Sequence, residues 1–184
     1  MEGPDRTGQR WFGFWTVKIS ATRSDEPAWS ADMLTVELDD LARHKNSVIG
    51  YSPWKTITQE MIQAFADATG DHQWIHLDVE RAERESPWKS TVAHGYLTAS
   101  LTPLLNQQVI DVQGKSASIN YGLNKLRFPA PVKSGAQIRS KMELLDVVRV
   151  DDQRTLATYR TTVEIRGGDK PACVVENLAM YVRS

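Results

Sequence analysis

A single cysteine and four histidines occur in 184 residues, and the glycine-rich pattern GxGxxG occurs nowhere. The lone Cys173 has no partner for an internal disulfide. Its apolar, strand-like neighbourhood reads as a core thiol rather than a nucleophile, and a reducing, cytoplasmic setting fits that usage. The missing glycine pattern excludes a dinucleotide-binding dehydrogenase module. Charge of one sign is missing too: 22 basic residues face 23 acidic ones, which removes the electrostatic footprint of a nucleic-acid partner. No apolar run approaches the roughly 18 residues of a membrane span. WFGFWTVKI at 11–19 comes closest to a signal-peptide core, but it contains Lys18 and no clean small-residue cleavage site follows, so export is not expected.

The length suits one domain with a sizeable core. Residues 1–32 differ in texture: a polar start, the aromatic patch at 11–19, then turn-rich ATRSDEPAWSAD. They are expected to be an appendage, partly disordered, to a domain running from 33 to 184. LTVELDDLARHK predicts a short helix from the spacing of Leu34, Leu38 and Leu41. ITQEMIQAFADATG predicts a firmer one, capped by Thr56 or Thr58 and ended by Gly70. Met61, Ile62, Phe65 and Ala66 form its apolar stripe. A further helix is expected after Asp78. GYLTASLTPLLNQQV is apolar or small nearly all round, the pattern of a helix enclosed by protein, with Pro103 bending it and releasing the carbonyl near Ala99. The remainder reads as successive strands, cleanest where Ala157, Tyr159, Thr161, Val163 and Ile165 alternate with polar neighbours. Helices followed by antiparallel strands predict an α+β fold, one long buried helix against a curved sheet.

GDHQWIH at 70–76 sets an aspartate and a histidine five residues apart on a short loop between two helices. Asp71 offers acceptors, and a neutral His76 offers one donor and one acceptor. The two can hold one water and move its protons. Spacing alone equally allows Asp71 to be a local cap and His76 a packed core residue. AHG at 93–95 adds backbone N–H groups at the start of the apolar helix, and Gly95 carries no side chain to keep a carbonyl away. A proton-transfer pair beside an oxyanion donor is the layout of a reaction centre; a plain helix start is the alternative for Gly95.

FADATGDHQWIHLDVERA, AHGYLTASL and NYGLNKLRFPAPVKSG together resemble the MaoC-like dehydratases, the (R)-specific enoyl-CoA hydratase group. The branch containing nodulation protein N and mycobacterial 3-hydroxyacyl-thioester dehydratases is the most similar, over about Val36 to Val182. The resemblance implies a hotdog fold, a long helix wrapped by an antiparallel sheet, and usually a homodimer. It implies reversible syn hydration of a trans-2-enoyl thioester to the (R)-3-hydroxyacyl product. No cofactor or metal is implied, coenzyme A being part of the substrate. Asp71 and His76 become the catalytic pair and Gly95 the oxyanion donor, while Thr102, with Ser100 as the alternative, falls where a hydroxyl supports the aspartate. Asn120 and Tyr121 would face the acyl pocket or the dimer seam, unless they only pack the strand. Lys125, Arg127 and Lys133 would meet coenzyme A phosphates or stand as solvated strand ends. His94 is expected to steady the turn before Gly95, with His72 and His44 at the surface. Two rivals stay open: a hotdog thioesterase, disfavoured because Tyr96 to Leu105 holds no carboxylate, and a non-catalytic acyl-thioester-binding protein.

Overall fold

The computed structural model describes residues 33–184; the expected appendage and its aromatic patch lie outside the described residues. Strand β1 (Leu34–Glu37) leads through a 3-10 turn (Leu41–His44) to β2 (Ser47–Tyr51) and β3 (Lys55–Thr56). Helices α1 (Gln59–Thr69), α2 (Trp74–Leu77) and α3 (Val79–Glu85) follow, then α4 (Gly95–Ser100) and α5 (Thr102–Gln107). Strands complete the chain: β4 (Ile110–Gln113), β5 (Lys115–Arg127), β6 (Gln137–Arg149), β7 (Arg154–Ile165) and β8 (Cys173–Arg183).

The helix expected at 34–45 is a strand and a turn. Leu34, Leu38 and Leu41 fit helical spacing, but the buried Val36 and Leu38 fit alternation equally well. Parallel pairing of β1 with β4 decides between the two periods. Sequence reasoning also passed over β2, β3 and β4, which are too short to show a period. The expectations for α1 and α3 hold. Thr58 Oγ1 accepts from the Met61 amide at 3.3 Å, Gly70 ends α1 at φ 78°, and Asp78 caps α3 by accepting from the Arg81 amide at 3.0 Å.

Six strands form one antiparallel sheet in the order β2, β6, β7, β8, β5, with β3 also on β6. β7 turns Ala157, Tyr159, Thr161 and Val163 inward, as its alternation predicts. One core cluster packs β1 and β4 on the sheet through Val36, Val112, Leu144 and Tyr159. A second packs α1, α4 and α5 through Ile62, Leu97, Leu105, Ile138 and Val163. Cys173 is fully buried there, and burial pushes its thiol up to about 12. The single long helix is corrected to two short ones meeting at Leu101. Pro103 has no N–H for the Ala99 carbonyl, which instead accepts from Thr102 Oγ1 at 2.8 Å. Nor are the two enclosed all round: Tyr96 and Leu104 stand exposed. Among the described residues no helix is long and apolar enough to cross a membrane.

Candidate active site

Between α1 and α4 the chain brings Asp71, His76 and His94 together, each with a potential ligand atom within 4.8 Å of the others. Asp71 follows the left-handed Gly70, and its side chain is 59% exposed. His76 does not sit on a loop, as expected, but on the single turn of α2, where only 7% of it is exposed. Gln59 from α1 holds that turn in place. Its Nε2 donates to the His76 carbonyl at 2.7 Å, while its Oε1 accepts from Thr91 Oγ1 at 2.6 Å.

Hydrogen bonding sets the state of each imidazole. His76 Nδ1 lies 2.6 Å from the Val92 carbonyl, which can only accept, so Nδ1 carries the hydrogen and Nε2 keeps a lone pair. His76 is held below the ordinary histidine range, first by burial; the Val92 carbonyl pulls it back up, His94 pushes it further down, and Asp71 raises it. A neutral ring with a free basic nitrogen results. The ring of His94 stacks on that of His76, centroids 3.7 Å apart and 25° between planes. His94 Nε2 is 2.9 Å from the Asp71 backbone carbonyl, so it too is the protonated nitrogen. That same nitrogen lies 4.0 Å from the Asp71 carboxylate. The three side chains are therefore not a ready metal set, because the His94 atom facing the carboxylate is already a donor.

Gly95 is the first residue of α4, and its N–H has no partner inside the helix. A Cβ there would lie 2.9–3.0 Å from three ring carbons of Phe128, closer than side chains tolerate. Phe128 in turn meets Tyr96 edge to face at 5.7 Å. The chain thus sets a carboxylate and a basic nitrogen close together and starts α4, with its unpaired first amide, one residue after His94; these are the kinds of groups that acid–base chemistry on a carbonyl compound uses.

The other expected site residues are more scattered. Thr102 is buried beneath the helix break, donating to Ala99 and accepting from Asn177 Nδ2 at 3.3 Å; no hydrogen bond links it to Asp71. Asn120, Tyr121, Lys125 and Arg127 lie on β5, all exposed. Lys125 pairs with Glu176 at 3.5 Å, and Lys133 lines an open surface cavity with Arg166 and Lys170. His72 is a surface residue 3.9 Å from Asp67, and His44 ends the 3-10 turn. Sequence reasoning missed the His76–His94 stack and the ring of Phe128 over Gly95. The only mark of either was a histidine beside a glycine in AHG and a phenylalanine beside a proline in RFPAP.

An α+β domain with its helices packed against one antiparallel sheet is of the hotdog class. Residues 41–165 match the family model described as MaoC like domain. The chain belongs to the MaoC-like family. It is 50% identical over 143 residues to 3-hydroxyacyl-thioester dehydratase Z of Mycobacterium tuberculosis, covering 78% of this chain and 94% of that protein. The (R)-hydratase of A. caviae involved in PHA biosynthesis superposes with a TM-score of 0.57 at 28% identity, over 71% of this chain and 93% of that one. The MaoC-like dehydratase of Rhodospirillum rubrum, at 23% identity, shares the fold with a TM-score of 0.62 over 80% and 97% of the two chains.

Proposed function

We propose that this chain is a hydro-lyase that adds water reversibly to a trans-2-enoyl thioester, giving the (R)-3-hydroxyacyl thioester, with Asp71, His76 and Gly95 at the reacting atoms. The observation that carries this is the gathering of Asp71 and His76 around His94, with His76 Nδ1 committed to the Val92 carbonyl so that Nε2 keeps its lone pair, directly before Gly95 at the start of α4. The thioester carbonyl accepts from Gly95 N–H, which draws electron density away from C3. Water held between Asp71 and His76 forms its C–O bond at C3 while giving up a proton to the pair. The pair returns a proton to C2, so hydroxyl and hydrogen add from one face. Dehydration is the reverse. The chemistry consists of proton transfers and one amide hydrogen bond, so the coenzyme A or other carrier enters only as part of the substrate. A hydration assay on crotonyl-CoA, following loss of enoyl absorbance with chiral analysis of the product, tests the proposal. Folded protein that hydrates no enoyl thioester would refute it and favour the binding-protein alternative.

The working unit is proposed to be a homodimer in a reducing, cytoplasmic setting. β5 is a 13-residue strand at the edge of the sheet, with Ile119, Tyr121 and Leu123 at 49%, 63% and 49% exposure. A long apolar edge of this kind is ordinarily hidden by pairing. A second copy across β5 would cover these side chains and place Asn120 and Tyr121 at the seam. Sedimentation of an active, dilution-independent monomer would count against it.

A further inference from the structure

The carboxylate proposed above to hold the water is poorly anchored through its own side chain. Asp71 follows Gly70 at φ 78°, its side chain is largely solvent-exposed, and no hydrogen bond to its carboxylate is found among the described residues. Its amide makes one weak local contact, 3.4 Å to Thr69 Oγ1. The remaining tie is the Asp71 carbonyl, which accepts from His94 Nε2 at 2.9 Å. His94 itself cannot wander. It is 3% exposed, clamped between the Phe65 ring at 5.1 Å and the His76 ring at 3.7 Å.

Its second nitrogen supplies an independent observation. His94 Nδ1 is buried and has no partner. An N–H on that atom would be a buried donor with no acceptor, whereas a hydrogen on Nε2 meets the Asp71 carbonyl, so the hydrogen belongs on Nε2. His94 thus donates from Nε2 to the Asp71 carbonyl, while its stacked neighbour donates from Nδ1 to the Val92 carbonyl. The ring with its basic nitrogen free to act is His76.

We infer that His94 is a positioning residue that fixes the dyad from behind, pinning Asp71 through its main-chain carbonyl and backing the His76 ring by stacking. The inference rests on the proposed hydratase reading for its catalytic consequence. Its geometric content stands apart, since tautomers are read without turnover. The ionisable groups acting on His76 are Asp71, in the loop after α1, and His94, at the head of α4; Gln59, which reaches in from α1, is neutral.

Two substitutions separate the pin from the shape. His94→Gln keeps an N–H near the position of Nε2 but loses the ring; His94→Phe keeps a ring and loses the donor. With the full chain and crotonyl-CoA, His94→Phe should lower kcat by up to about 10²-fold, the scale of a small misplacement of a reacting group, with KM little changed. His94→Gln should recover most of that loss. Nitrogen-15 NMR of the wild-type histidines should show His94 protonated at Nε2 and His76 at Nδ1 near neutral pH. Equal kcat losses in both variants that track lowered thermal midpoints would overturn the inference, leaving a structural role only. So would a His94 found with no hydrogen on Nε2. A wild-type chain with the expected tautomers and no hydration would instead sink the hydratase reading alone.

Discussion

Gly95→Ala isolates the amide proposed to bind the thioester oxygen. The added Cβ would sit 2.9 Å from Phe128 Cδ2 and 3.0 Å from Cε2 and Cγ. Ordinary contact begins about half an ångström further out, so the ring must slide or tilt by about that much. It has room to do so, because Phe128 is 39% exposed and meets Tyr96 only edge to face. Backbone strain adds nothing, since Gly95 is not among the glycines with positive φ. Alanine is also the better helix former, by up to about 1 kcal/mol inside a helix and by less at its first residue. Displacing the ring and gaining helix propensity therefore largely offset, and the thermal midpoint should move by only a few degrees (about 1 kcal/mol corresponds to roughly 4 °C in a domain of this size). Activity should respond quite differently. A methyl group beside the amide, together with a shifted Phe128, keeps the carbonyl from its donor, and loss of one such donor costs about 10²–10³ in kcat. The assay is crotonyl-CoA hydration beside a thermal melt. Gly95→Ala/Phe128→Leu refines it: removing the ring relieves the clash, so any activity still missing belongs to the blocked amide. A folded Gly95→Ala protein with near wild-type kcat would refute the assignment of Gly95 as the oxyanion donor.

Three further outcomes are expected. Asp71→Asn and His76→Ala should each lower kcat by about 10²–10⁴, with the double variant little worse than either single; kinetics on all three check this, and near wild-type turnover in His76→Ala contradicts the dyad. Because burial lowers the pKa of His76, its neutral form persists below the ordinary midpoint of about 6.5. The acid limb of kcat/KM should accordingly lie below that value, and a limb above it would contradict the buried neutral ring. A chain beginning at Met33 should fold, dimerise and hydrate like the full chain, since the polar and turn-rich sequence of residues 1–32 shows no convincing period; comparing thermal midpoints and specific activities decides it, and a large drop in either would make residues 1–32 part of the working domain.

Much of the local structure was legible in the residues themselves. Thr58, Gly70 and Asp78 mark helix ends because capping is a bond between near neighbours. The alternation in β7 reports its two faces, and Pro103 announces the break that Thr102 repairs. The candidate pair Asp71 and His76 and the glycine at 95 could be named because they fall in short, distinctive stretches. What no local pattern carried was decided by contacts across the chain. Leu34, Leu38 and Leu41 satisfy a helix as well as a strand, and only pairing of β1 with residues some 76 positions later chose the strand. Asp71 and His94 meet through a bond spanning 23 residues, His76 and Val92 through one spanning 16. Those bonds settle which nitrogen of each imidazole carries its hydrogen. A histidine's tautomer follows the acceptor it meets, and that acceptor is a backbone carbonyl whose position depends on how the helices pack. The sequence by itself determined which groups are present and where short elements begin and end; the tertiary structure alone decided which nitrogen of each imidazole is tied to a carbonyl and which is left without one.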